Sequence, residues 1–316
     1  IGNPPYVEYN KKDSKTKKAV SDIYKLNGYS TIDCGNLYAY CFERSIKIAH
    51  QNTKTGFIIP SASMCTPRMS ELLHLIQESG YLWSSLWDER PAKLFDGVDQ
   101  QLCIHILNMA DQRKSYLTRM NHWATECRSD IFKTIDYVEY NPSFILSEVN
   151  PKIQSAIELS ITDKMMKGTK PLAVYQSGKG FGEKIYYRSA GGRYWKLIKS
   201  YPTYFRSATC TSSTTESSIS LEGELIKGVV AILSSSLFYW FWRIVSNCRH
   251  ITNRELLNFP LSKASLLHIE DLSVLTEEYE ADLENNKKRV TTNSERSGEI
   301  VQDFYFARLS KPILDK

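Results

Sequence analysis

Apolar positions along the first 110 residues alternate between two periods. From Asn36 to His50, Leu37, Tyr40, Cys41, Ile46, Ile48 and Ala49 fall near a 3.6-residue repeat, and Asn36 is placed to cap the helix this predicts. Gly56–Ser61 (GFIIPS) is a short apolar run stopped by Pro60, the pattern of a buried parallel strand entering a loop. Met69–Gly80 reads as a helix with Gly80 at its C-terminal end, Tyr81–Trp87 and Leu102–Leu107 as strands, and Ile131–Tyr140 as a further candidate strand. Helices alternating with strands predict an α/β sheet domain.

The pattern changes near residue 150. Between Lys167 and Arg206 nine Lys/Arg stand against one acid, Glu183, with nine aromatics interleaved. Glycines at 178, 180, 182, 191 and 192 divide this window into short β-like pieces. Residues 209–220, rich in Ser and Thr, predict a loop. Leu221–Val245 then predicts an apolar helix, and two amphipathic helices are expected at about 265–289 and 294–309. No internal repeat is visible. The organisation expected is 1–150, 151–262 (α+β) and 263–316 (helical).

With 42% hydrophobic residues in 316, the chain can bury a core. A net charge of +5 decides nothing alone, so the local basic window carries more weight than the sum. Seven scattered cysteines without a C-x-x-C pair suit a reduced cytoplasmic chain, and six histidines without metal-ligand spacing give no metal site. The uncharged stretch Gly228–Trp242 is 15 residues long, short for a membrane span, and is expected as a buried helix.

Asn3-Pro4-Pro5-Tyr6 suits the methylation of an exocyclic amino nitrogen. The lone pair of such a nitrogen is conjugated into the ring. Two acceptors aimed at its N–H groups draw it towards tetrahedral geometry. The Asn3 side-chain oxygen and the Pro4 carbonyl are the candidate acceptors, Pro5 helps stiffen the backbone, and Tyr6 offers a ring for a base taken out of the helix. Taken alone, the tetrapeptide also fits an ordinary N-P-P turn before a helix.

Three further segments carry a family resemblance. Asn36–Ser45 (NLYAYCFERS), Gly56–Ser63 (GFIIPSAS) and Pro91–Ile104 (PAKLFDGVDQQLCI) follow Asn3–Tyr6 in the order seen in gamma-type N6-adenine DNA methyltransferases of restriction–modification systems. Asn258–Leu261 (NFPL) resembles the end of the target-recognition region of that family. The resemblance implies the C-terminal half of a Rossmann-like methyltransferase sheet, Phe95 as a second base-stacking ring, double-stranded DNA as substrate and S-adenosylmethionine as methyl donor. Family members carry a Gly-rich cofactor loop and acidic residues before the tetrapeptide, so cofactor-binding residues are expected outside this chain. The missing N-terminal half, or a restriction endonuclease domain, is then an implied partner, and the chain is expected to be a bacterial fragment. Gly178–Gly182 (GKGFG) is an alternative cofactor loop, but EKIYYR after it alternates like a strand, which favours a hairpin turn.

For DNA contact the candidates are Lys11 and Lys12 in KKDSKTKK, and Lys179, Lys184, Arg188 and Arg193 in the basic aromatic window. Solvated basic surface remains the alternative for both. Two other functions stay open: a DNA-binding specificity module without catalysis, and a protein methyltransferase acting on a glutamine amide. No P-D…(D/E)-x-K nuclease cluster is found.

Overall fold

A computed structural model describes residues 1–8, 22–23, 28–141, 149–178, 181–190, 195–295 and 298–315. It divides into two compact units, Ile1–Lys164 and Met165–Lys316.

The first unit is built on a mixed five-stranded sheet. Its strands are β1 (Lys54–Pro60), β2 (Gly80–Trp87), β3 (Leu102–Met109), β4 (Lys114–Asn121) and β5 (Val138–Tyr140), in the order β1-β3-β2-β4-β5. β3 runs antiparallel to both β1 and β2, whereas β2 and β4 are parallel. The parallel strand expected at Gly56–Ser61 is therefore antiparallel to its one full partner. Its parallel neighbour is the stub at Gly2, which bridges Phe57. Of the strand expected at Ile131–Tyr140, only the last three residues extend.

Helix α1 (Leu37–Ile48) begins as expected, with the Asn36 side chain accepting from the Tyr38 N–H. Helix α2 (Ser70–Glu78) buries Leu72, Leu73 and Ile76 on one face, each worth about 1.5–3 kcal/mol of apolar burial. Ser79 ends this helix, and Gly80 opens β2 at φ +144°. A Cβ there would sit 2.2 Å from the Asn108 carbonyl oxygen, so the position requires glycine. Helix α3 (Ala156–Met166) follows the sheet.

The second unit holds three small sheets. Strand β7 (Glu183–Arg188) lies between β10 (Glu216–Leu221) and β8 (Ile198–Lys199), while β6 (Thr169–Pro171) pairs with β11 (Pro260–Ser262). β13 (Gly298–Phe304) lies between β12 (Lys288–Ser294) and β9 (Phe205–Ser207). Several expectations change here. In place of the amphipathic helix expected at 294–309, Gly298–Phe304 form the second strand of a β-hairpin and Ala307–Ser310 a short turn of helix. Val290, Thr291 and Thr292 favour extended backbone across from Ile300–Gln302. The Ser/Thr-rich segment 209–220 contributes β10, because Ile219 and Leu221 alternate inward.

The apolar stretch 221–245 is two helices, α4 (Ile226–Ser234) and α5 (Ser236–Val245), bent by 70°. Ser235 breaks the run: its hydroxyl donates to the Ile232 carbonyl at 2.6 Å and accepts from the Phe238 N–H at 3.3 Å, ending one helix and capping the next. No single described helix is long and apolar enough to cross a membrane. Helix α4 packs against α6 (Ile269–Asn286), where a Cβ on Gly228 would meet Ile269 side-chain and backbone atoms within 3 Å.

Candidate functional site

The segment 2–8 is tied down at both ends. Gly2 N–H donates to the Gly56 carbonyl at 2.8 Å and Ile58 N–H donates to the Gly2 carbonyl at 3.1 Å, so the chain enters as a strand beside β1. Glycine is needed there, because a Cβ would lie 2.9 Å from the Phe57 ring. Further on, Leu37 N–H donates to the Val7 carbonyl at 3.0 Å, Glu8 bridges Asn36 across the backbone, and its carboxylate pairs with Arg68. Between these anchors Asn3 and Pro5 are exposed and Pro4 is buried. No hydrogen bond to another described residue engages the Asn3 carboxamide. Tyr6 is half-buried. Its hydroxyl donates to the Ile58 carbonyl at 2.9 Å, and its ring meets Tyr38 edge-on at 6.4 Å. Burial raises the Tyr6 phenol pKa, so the hydroxyl stays a donor.

Phe95 lies on the loop between β2 and β3, far from Tyr6 in sequence, yet both half-buried rings pack against one buried cluster that includes Trp87, Leu94, Leu102 and Trp123. The loop is closed by polar residues that sequence reasoning missed. Asp88 at its start is buried; one carboxylate oxygen accepts from Glu89 N–H at 2.7 Å and from Gln101 Nε2, at the loop's end, at 3.2 Å. The other oxygen faces His122 Nδ1 at 3.4 Å. Arg128 donates to the Lys93 and Leu94 carbonyls at 3.3 and 2.9 Å. Asn3 and Asp88 leave the sheet at the carboxyl ends of the Gly2 stub and of β2, the edge at which α/β sheets bind ligands.

The DNA-contact candidates fare unevenly. Lys11, Lys12, Lys179 and Arg193 lie outside the described residues. Lys184, Tyr186 and Arg188 alternate on the outer face of β7, with Ile185 and Tyr187 turned inward. Lys184 is exposed; Arg188 is half-buried, donates Nε to the Ala190 carbonyl at 3.0 Å, and holds its guanidinium 5.8 Å from the Phe304 ring. Two members of the basic window are not surface charges. Lys196 and Lys199 are buried, their ammonium groups donating to the Arg249 and Tyr201 carbonyls, and burial lowers each pKa to about 8. A groove of about 650 Å³ beside β7 is lined by Tyr187, Ser189, Ser217, Ser218, Asn253 and Arg254, among others.

Residues 1–83 match the Eco57I restriction-modification methylase family. That match contains Asn3–Tyr6, α1, β1 and α2. A search of curated protein sequences gives no match. Among solved structures, the chain is similar to the Type IIL restriction-modification enzyme MmeI in complex with DNA, at 13% identity, TM-score 0.45, 90% of this chain and 50% of that one. It is similar to a nuclease-deletion mutant of the Type ISP enzyme LlaGI with a DNA substrate mimic, at 11% identity, TM-score 0.44, and 93% and 36% coverage. A DrdV–DNA complex gives 10% identity, TM-score 0.42, and 93% and 46% coverage. The chain spans half or less of the length of these structures.

Methylases of this family generally use S-adenosylmethionine, and the glycine-rich Gly178–Gly182 is the one segment here with a cofactor-loop composition. Its geometry does not fit that role. Gly182 adopts φ +81°, and a Cβ would lie 2.3 Å from the Leu221 carbonyl oxygen and from Ser177 Oγ. The glycine thus serves a close backbone approach to β10. A strand, β7, follows Gly182, not the helix that would present its N-terminus to a phosphate or carboxylate in a cofactor loop. Among the described residues, no group of three or more His, Cys, Asp or Glu side chains could hold a metal ion.

Proposed function

We propose that this chain is the C-terminal portion of a site-specific N6-adenine DNA methyltransferase of the gamma type, from a restriction–modification system. The observation that carries the reading is the convergence of Tyr6 and Phe95 on one apolar cluster that includes Trp87 and Trp123, beside an exposed Asn3 at the end of a strand. Two half-exposed rings on a shared base can hold a planar heterocycle taken out of a duplex. The Asn3 carboxamide oxygen and the Pro4 carbonyl would accept from the amino group of the flipped adenine and free its lone pair. S-adenosylmethionine supplies an electrophilic methyl group; the residues holding it are proposed to lie in sequence outside this chain.

The remaining assignments belong to the same reading. Residues 1–150 are the end of a Rossmann-like catalytic domain, 151–262 the target-recognition domain and 263–316 a C-terminal segment. Double-stranded DNA is the substrate, the bacterial cytoplasm the compartment, and an N-terminal half or a restriction endonuclease domain the partner. The match over residues 1–83 supports the catalytic assignment over a specificity module without chemistry.

The test is Asn3→Ala in the polypeptide that carries this chain, assayed by transfer of labelled methyl from S-adenosylmethionine to unfractionated DNA. Methyl transfer should fall about 10²–10³-fold, the cost of removing one oriented hydrogen-bonding group, with DNA binding retained. Wild-type transfer by the variant would refute the role of Asn3. Mass spectrometry of the product nucleosides should show N6-methyladenine; label in protein would favour a glutamine methyltransferase.

A further inference from the structure

We propose that Arg128 is a positioning residue that fixes the Phe95 ring for stacking on an extrahelical base; this rests on the function proposed above. Phe95 sits in a loop without helix or strand between the end of β2 and the start of β3, and its own carbonyl accepts from Val98 N–H at 3.3 Å. A ring that must meet a flipped base needs its backbone fixed beforehand, since a misplacement of about 1 Å can cost on the order of 100-fold in rate.

Arg128 reaches back from the 3-10 helix Thr125–Asp130 to supply that restraint. One guanidinium nitrogen donates to the Lys93 carbonyl at 3.3 Å and the other to the Leu94 carbonyl at 2.9 Å, the two residues immediately before Phe95. The same guanidinium lies 5.5 Å from the Trp123 ring, and Trp123 is a member of the cluster against which Phe95 and Tyr6 pack. The planar fork thus holds two successive carbonyls while resting on the wall of the aromatic site. Lysine has three donors on one flexible nitrogen and lacks the fixed planar fork that fits two successive carbonyls. Asp88 and Gln101 close the two ends of the loop, the Val98 N–H holds the Phe95 carbonyl and the Lys93 ammonium pairs with Asp99, while Arg128 holds the two carbonyls immediately before the ring.

Two measurements test this. The first uses the chain with 4-fluorophenylalanine at position 95, read by fluorine NMR. Arg128→Ala should broaden or shift that resonance, and Arg128→Lys should do so less, with cooperative unfolding preserved in both. An unmoved resonance in both variants overturns the proposal. The second is a double-mutant cycle in the methylating polypeptide on unfractionated DNA. Arg128→Ala should lower kcat by roughly 10- to 100-fold with KM for DNA little changed. In a Phe95→Ala background the same substitution should have no further effect, because its action passes through the ring. Additive losses would mean that Arg128 acts on general structure and would overturn the proposal. If Phe95→Ala alone methylates at the wild-type rate, the stacking role of Phe95 fails, and the assignment of Arg128 to that role fails with it. The fluorine spectrum then still separates this failure from a loop that Arg128 never held.

Discussion

Tyr6 has two separable parts: a ring against the apolar cluster and a hydroxyl that donates to the Ile58 carbonyl on β1. Tyr6→Phe removes the tether alone, at a cost of about 1 kcal/mol for a partly buried hydrogen bond. It should keep methyl transfer within several-fold of wild type. Tyr6→Ala removes the ring and should lower transfer far more; comparison of the two rates by labelled-methyl assay checks the division, and equal losses would contradict it. At this scale the sequence shows Asn3–Tyr6 plainly, since prolines and an amide in that order restrict both backbone and chemistry. It hides Asp88, Gln101 and Arg128. Each is an ordinary polar residue whose role depends on where a loop closes, which no local pattern encodes. It also misplaces Lys196 and Lys199, because a count of charges does not say which side chains point inward.

Elements with a strong period were legible from the apolar pattern: α1, which also carries its Asn36 cap, and α2, whose Leu72, Leu73 and Ile76 face inward without a side-chain cap. Those that depend on long-range pairing were not. The segment 294–309 carries a spacing compatible with a helix, and the hairpin of β12 and β13 prevails through β-branched cross-strand pairs and the αL glycine at 298. The contact of α4 with α6 is a further case. Gly228 is a poor helix former, and alanine would gain about 1 kcal/mol in propensity. Its Cβ, however, would lie 2.9 Å from the Ile269 backbone oxygen as well as against that side chain, and overpacking costs about 1–3 kcal/mol. Gly228→Ala should therefore lower the urea midpoint, and an increase would show that the helices can part without cost.

His105 on β3 joins three elements: its ring nitrogens lie 3.1 Å from Ser63 Oγ, in the helical turn Ala62–Cys65 that follows β1, and 2.9 Å from Ser84 Oγ on β2. Burial lowers its pKa to about 3, against an ordinary value of 6.5. Between these two values the unfolded chain binds a proton that the folded chain does not, so stability is lost as pH falls below about 6.5. Replacing His105 with Gln should remove that part of the acid sensitivity. A wild-type and a variant with parallel pH–stability curves between pH 4 and 7 would contradict the neutral buried imidazole.

At the scale of the whole molecule, the buried lysines give the opposite limb of the pH profile. Lys196 and Lys199 have folded pKa values of about 8, lowered by burial from 10.5. Below pH 8 both are charged in either state, and the folded chain bears the cost of burying them. From pH 8 to 10.5 the folded state releases protons that the unfolded state keeps, so stability rises with pH by up to about 1.4 kcal/mol per unit per lysine. Other buried groups push the other way. Burial raises the pKa of the Cys103 thiol and of the Tyr201, Tyr279 and Tyr305 phenols, and each loses stability for the fold once its unfolded counterpart ionises. The lysine contribution is therefore best read as a difference. A Lys196→Met/Lys199→Met variant retains the Cys103 thiol and lacks the two ammonium groups; the Tyr201 and Tyr305 phenols beside Lys199 reach half-ionisation in the unfolded chain only at about pH 10, above the range compared. It also loses the hydrogen bonds to the Arg249 and Tyr201 carbonyls, which shifts its stability by an amount that does not vary with pH. Urea unfolding of both proteins under reducing conditions at pH 7.5, 8.5 and 9.5 should show wild type gaining on the variant at each step. A constant difference across that range would mean that the two ammonium groups are not held in the dry environment that their burial implies.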